Sequence, residues 1–252
     1  MLGKYPTQLP KQLLLVILLF TNTIQAQRVM KLPPYLTKGD TVGILATARK
    51  IDHEPLEPAI KLLKSWGLNV VVGKTIGLDN NQLAGADWQR ATDFQEMIDN
   101  PAIKAIWCAK GGYGTVRMVD RIDFTHFKKK PKWFIGFSDA TVLHSHINNM
   151  DIATIHGIMA ASVSGATPQA IESLHKALFG DKISYTVPAH KYNKPGKVSG
   201  ELVGGNLSVL FSIVGSRSEM DYKGKILFLE DLDEYLYHVD PVSYTHLRAH
   251  ET

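Results

Sequence analysis

Short apolar runs and amphipathic stretches alternate along most of this 252-residue chain. "TVGILA" (41–46), "LNVVVG" (68–73), "AIKAIWCA" (102–109), "KWFIGF" (132–137) and "IATIHG" (152–157) are each long enough for one buried strand and too short for a buried helix. Between them, "PLEPAIKLLKSWG" (55–67) puts Leu56, Ile60 and Leu63 on one helical face and offers Gly67 as a C-cap. "ADWQRATDFQEMIDNP" (86–101) is a polar-rich helix stopped by Pro101, "TVRMVDRI" (115–122) is a helical turn or two, and "DATVLHSHINNM" (139–150) is a further helix. "PQAIESLHKALFG" (168–180) is another, closed by Gly180. Short strands alternating with helices predict an α/β fold over residues 37–180, a parallel sheet with helices on both faces. Residues 181–200 carry Pro188, Pro195 and Gly196, break the period and read as a linker. "GELVGGNLSVLFSIVGS" and "KGKILFLEDLDEYLYHVD" then open a second, incomplete unit over 201–241.

The first residues follow a different pattern. Lys4 and Lys11 precede the apolar "LLLVILLF" (13–20), and "TNTIQA" ends on the small Ala26, which together read as a secretory signal peptide over residues 1–26. A bilayer-spanning helix needs about 18 apolar residues or more, so export is expected rather than a stable membrane span. Removing the segment lowers the formal charge from +4 to +2. The one lysine-dense stretch, "KKKPK" (128–132), reads as a solvated loop before a strand, so nucleic acid is not an expected partner. Cys108 is the sole cysteine and reads as a small buried strand residue.

Reactive groups of an open parallel sheet gather where strands end and helices begin. Ser138, in Gly136-Phe137-Ser138-Asp139-Ala140, sits at such a point. It matches a G-x-S-x-G nucleophile elbow with Ala in the last place, and it equally matches the N-cap of an ordinary helix. Gly111-Gly112-Tyr113-Gly114 follows a buried strand and can turn backbone N–H groups toward an anion, as a phosphate site, an oxyanion hole or no more than a tight turn. Arg117 stands where a dinucleotide fingerprint needs its third glycine, so no nucleotide cofactor is expected. Glu230 ends the strand "KILFLE" and can reach across a cleft to orient a histidine, while Asp231 or Asp233 can cap the helix that follows. His246 and His250 have i, i+4 spacing but no third ligand nearby, and no metal site is expected.

In this order and spacing, "IWCAKGGYGTVR", "FIGFSDAT", "TIHG", "GELVGGNLS" and "ILFLEDLDEYLYHVD" resemble the LD-carboxypeptidases, serine peptidases of the S66 type, from about Pro33 to Asp240. Those enzymes release D-alanine from the L,D bond of murein tetrapeptides, and the microcin-immunity hydrolases are similar to them. The resemblance implies a flavodoxin-like N-terminal domain followed by a smaller β-rich domain. It also implies a homodimer of the full-length protein, a murein peptide as substrate, and no metal or cofactor. It makes Ser138 the nucleophile and Glu230 the acid that orients the base, with an oxyanion hole of backbone N–H groups from Gly111, Gly112 and Asp139. Arg117, His156 and Asn206 fall in matching blocks near the cleft and are expected to contact substrate.

The resemblance sets the catalytic histidine well downstream of Glu230, beyond this chain, and none of His144, His146, His156 or His238 is expected to replace it. "VSYTHLRAHET" (242–252) resembles translated adapter read-through, so a truncated chain with an artificial tail and impaired activity is expected. Two other functions stay open: a microcin-immunity-like hydrolase of peptide–nucleotide conjugates, and a non-catalytic α/β module that binds peptide or nucleotide at its strand ends. The leader implies a periplasmic location, whereas related recycling enzymes act in the cytoplasm.

Overall fold

A computed structural model describes residues 29–232. Strands β1 (Thr41–Leu45), β2 (Asn69–Val72), β3 (Ile103–Cys108), β4 (Trp133–Gly136) and β5 (Ile155–His156) form one fully parallel sheet ordered β2-β1-β3-β4-β5. This is the flavodoxin-like order, whose switch point lies between β1 and β3. Helices α1 (Glu57–Ser65), α2 (Asp87–Asp99), the short α3 (Thr125–Lys129), α4 (Thr141–Asn148) and α5 (Pro168–Phe179) connect the strands.

Side chains of a strand point alternately to its two faces, and here both faces are covered. Leu45, Ile106, Cys108 and Phe134 pack against Phe94 and Met97 of α2 and Leu143 and Ile147 of α4. Ile44, Ala105, Trp107 and Ile135 pack on the other side, against Leu63 of α1 and Leu174 and Leu178 of α5. Full burial of such side chains stabilises the fold by about 1.5–3 kcal/mol each. The helix ends follow local chemistry. In α5 the Thr167 hydroxyl accepts the Ala170 N–H at 3.2 Å, Pro168 takes the first turn, and Gly180 closes the helix in the left-handed region at φ 86°.

Two segments differ from the reading of the chain. The strand expected over 152–157 shrinks to Ile155–His156, because the backbone before it is taken by the N-terminal segment: Lys31 N–H donates to Asp151 O at 2.7 Å and Ala153 N–H to Lys31 O at 2.9 Å. The stretch 128–132 is not wholly a solvated loop. Lys128 and Lys129 end α3, and Lys132 is buried, its ammonium donating to Met97 O at 2.9 Å and to Asn100 O at the end of α2. Burial, reinforced by Lys104, pushes its pKa down to about 8. Residues 181–200 hold no helix or strand and are exposed throughout.

Beyond them, β6 (Leu202–Asn206) and β7 (Ile226–Glu230) pair in parallel around α6 (Leu207–Ser212). This unit is seated on α4. Leu210 and Ile213 join the same core as Leu143 and Ile147, and Asn206 N–H donates to Thr141 Oγ1 at 3.0 Å. Gly205 permits that approach. It sits at φ 144°, and a Cβ there would stand 2.5 Å from Thr141 Oγ1, closer than real Cβ contacts. Residues 1–28, where the leader is expected, and the segment after Leu232, with His238, His246 and His250, lie outside the described residues.

Candidate active site

Strand β4 delivers Ser138 to a sharp corner. The backbone is extended at Phe137, turns left-handed at Ser138 (φ 57°), and runs through a short 3-10 turn, Ser138–Ala140, into α4. The N-cap position of that turn is Phe137, and no side chain caps it, so the serine does not serve as a helix cap. Left-handed backbone costs a residue with a Cβ about 1–2 kcal/mol. The other non-glycine residues with positive φ among those described are Asn81 and Asp151, types that tolerate this region. Serine has no such ease, and strain of this kind collects at functional sites. The small residues on either side let strand and turn close up: a Cβ on Gly136 would stand 2.8 Å from Ala140 Cβ.

His144, fully buried in α4, supports the strand end. Its Nε2 donates to Gly136 O at 2.8 Å, which leaves Nδ1 to accept from Thr154 Oγ1 at 2.7 Å. Burial pushes its pKa down to about 3, so this imidazole is a neutral brace rather than a base. Cys108 is equally inert, its thiol pushed up to about 12 by burial.

The glycine turn after β3 stands against the corner. A Cβ on Gly111 would lie 3.4 Å from Ser138 Cβ and 3.5 Å from its Oγ. A carboxylate that the sequence reading passed over ties the two together. Asp139 is buried and its Oδ2 accepts the Thr115 N–H at 2.9 Å, while Thr115 Oγ1 donates to Thr47 Oγ1, after β1, at 2.9 Å. Burial raises the Asp139 pKa; Thr115, the positive charge of Arg90 and the Gly114 N–H act against that rise. Arg90 is fully buried, with Nη2 on Asp87 and with Nε and Nη1 unpartnered among the described residues. Asp139→Asn would turn an amide N–H₂ toward these donors and leave the Arg90 charge poorly matched. Urea unfolding is expected to show a loss of about 2 kcal/mol. A loss under about 0.5 kcal/mol would mean that this carboxylate does not hold the turn.

Glu230 arrives from the other unit. It ends β7 opposite Asn206 in β6, within reach of the corner. Burial raises its pKa, and the nearby Asp231 adds to this; the Asn206 amide and the Ser138 backbone N–H pull it back down. Its Oε1 is buried and has no partner among the described residues. A buried acceptor left open in this way is ready for a donor. Among those residues no imidazole bonds to Ser138 or Glu230.

The remaining expected site residues are spread around this pair. Asn206 is buried and its amide is occupied from within: Oδ1 accepts Val209 N–H at 3.0 Å as the N-cap of α6, and Nδ2 donates to Asp231 Oδ1 at 3.0 Å. Asp231 also accepts Ser208 N–H at 3.0 Å and so serves the start of α6, while the helix expected after it lies outside the described residues. Arg117 is half-exposed and gripped by Asp87, with Nε 3.0 Å from both carboxylate oxygens. His156 lies exposed on the edge strand, its ring 6.3 Å from Phe137 and 5.2 Å from Phe228. It also lines a cavity of about 410 Å³ with Leu174, Tyr185 and Leu202, which neither Ser138 nor Glu230 lines. Among the described residues no cluster of His, Cys, Asp and Glu could hold a metal ion, and no helix is long and apolar enough to cross a membrane.

Comparison with known proteins bears on this arrangement. A protein of Bacillus subtilis named "Probable murein peptide carboxypeptidase" is 41% identical over 214 residues, 82% of this chain and 67% of its own length. The structure of MccF in complex with glutamyl sulfamoyl guanosine superposes with a TM-score of 0.74 at 26% identity, covering 86% of this chain and 76% of the other. A muramoyltetrapeptide carboxypeptidase from Oxalobacter formigenes does so with a TM-score of 0.72 at 26% identity, covering 83% and 72%. Residues 42–157 match the family profile described as LD-carboxypeptidase N-terminal domain, and residues 199–250 match the LD-carboxypeptidase C-terminal domain. The chain belongs to the LD-carboxypeptidase family, serine-type peptidases of the S66 class.

Proposed function

We propose that this enzyme releases the terminal D-alanine of murein tetrapeptides, with Ser138 as nucleophile and Glu230 as the acid that orients the base. The observation that carries the reading is the strained corner at Ser138, its hydroxyl beside Gly111 and its backbone N–H toward the Glu230 carboxylate. Serine oxygen is a weak nucleophile until a base takes its proton. In this reading Oγ attacks the carbonyl of the L,D bond, and the proton passes to the imidazole of the histidine expected downstream of Glu230, held through its other nitrogen by Glu230 Oε1. The oxyanion that forms is met by backbone N–H groups of the Gly111–Gly112 turn and of Asp139, preset before the reaction. Collapse expels the D-alanine amine, protonated by the same imidazole, and water then frees the acyl-enzyme. Asn206 steadies Glu230 rather than touching substrate. The leader-like residues 1–26 support export, which would bring the enzyme to murein outside the cytoplasm.

The test takes a full-length version of the protein, one that carries the expected downstream histidine, offers it two amides, a murein tetrapeptide and an aminoacyl-sulfamoyl-adenylate, and follows both by mass spectrometry. Conversion of tetrapeptide to tripeptide plus D-alanine is expected. Cleavage of the adenylate alone would move the assignment to the microcin-immunity type. Binding of either with no cleavage would favour the non-catalytic module.

A further inference from the structure

The turn that presents Gly111 to Ser138 also carries a cation. Arg49, in the segment after β1, lies over Gly112: a Cβ on that glycine would stand 2.5 Å from Arg49 Cγ, 2.6 Å from Cδ and 2.9 Å from Nε. Gly112 itself is held at φ 118°, which side-chain-bearing residues rarely adopt, so this position leaves the arginine stem flat against the turn. Of the cations nearby, Lys50 is paired with Asp79 and Arg117 with Asp87, while Lys110 precedes the glycine pair and is exposed with no carboxylate partner among the described residues. Arg49 is exposed, and among the described residues no carboxylate pairs with it. A bare guanidinium is a fork shaped for a carboxylate.

We infer that Arg49 binds the free α-carboxylate of the residue that leaves. The inference rests on the reading of Ser138 as nucleophile and adds what makes the enzyme a carboxypeptidase. The spacing is matched on the two sides. Consecutive Cα atoms lie about 3.8 Å apart, so Arg49 is anchored one residue along the turn from the glycine that touches Ser138. In the substrate the terminal carboxylate lies one residue beyond the scissile carbonyl, separated from it by the amide nitrogen and one Cα. A cation at that step accepts a chain that ends there and gains nothing from a chain that continues.

The test reads binding, so it does not depend on turnover. In the Ser138→Ala background, dissociation constants are measured by calorimetry for the tetrapeptide L-Ala-γ-D-Glu-meso-diaminopimelyl-D-Ala and for its C-terminal carboxamide, with Arg49 intact, as Arg49→Gln and as Arg49→Lys. With Arg49 intact the acid binds about 10- to 100-fold tighter than the amide, the span of a charge-assisted hydrogen-bonded pair. Arg49→Gln, which keeps most of the stem on Gly112, abolishes that preference and leaves the amide within about twofold of its former affinity; Arg49→Lys restores part of it. A preference that survives Arg49→Gln, an equal loss for both ligands, or binding of neither would overturn the inference. If the preference behaves as expected while the unmutated protein releases no D-alanine, the proposed reaction fails and the carboxylate site stands.

Discussion

Ser138→Ala is expected to lower D-alanine release from murein tetrapeptide by at least about 10⁴-fold, the scale on which losing the nucleophile of a serine–base–acid unit is felt. Stability should change little, because alanine keeps a Cβ and therefore the strain at φ 57°. Ser138→Gly separates the two effects. It loses turnover equally, yet relief of left-handed strain outweighs the extra entropy of an unfolded glycine, and its denaturation midpoint should rise by the equivalent of about 0.5–1 kcal/mol. Thermal melts of both variants alongside the release assay check this. Retained turnover in Ser138→Ala would remove the nucleophile assignment. A destabilised Ser138→Gly would mean that the corner is not strained in solution.

Glu230→Gln is expected to cost about 10²–10⁴-fold in turnover, because the amide keeps the shape but cannot stabilise the imidazolium that forms as the serine gives up its proton. The pH profile carries the second part of the prediction. Burial raises the Glu230 pKa, and the ionised form is the working one, so beneath the limb set by the base imidazole the acid side of kcat/KM carries a second limb from Glu230, displaced upward from the ordinary carboxylate value, with activity falling further as pH drops through it. Asn206→Ala removes an amide that favours the ionised form and should move that limb to higher pH. An acid limb that does not shift in Asn206→Ala, or a Glu230→Gln variant with full turnover, would take this carboxylate out of the reaction.

The sheet was legible in the chain for a simple reason. A parallel strand covered on both faces is apolar at nearly every position, as in "AIKAIWCA" and "KWFIGF", and few other elements are so short and so apolar. The corner was half legible. Gly136, Ser138 and Ala140 gave its outline, but a serine does not announce its φ, and the choice between cap and elbow needed the backbone. Arg90 was hidden because Asp87 and Arg90 at i, i+3 look like a pair on a helix surface, while the fold buries the arginine completely behind the glycine turn. Lys132 was hidden in the same way: a fifth residue in a basic run gave no sign that it would be buried over the end of α2. Asp139 was noticed for its N–H and not for its carboxylate, whose partner Thr115 belongs to a distant segment. Gly204 and Gly205 lie in "GELVGGNLS", yet a Cβ on Gly204 would meet the Phe228 backbone of β7 and one on Gly205 would meet Thr141, contacts that no local pattern encodes.

The Ser138 backbone N–H favours the ionised form of the Glu230 carboxylate, which couples two positions that lie far apart along the chain. The acid therefore shapes the backbone that it later serves chemically, and a change at one position alters what the other can tolerate. Drift at either is not independent. A lineage that gave up the glutamate would lose a support of the bent serine as well as its partner in proton transfer, so the two are expected to persist or disappear together.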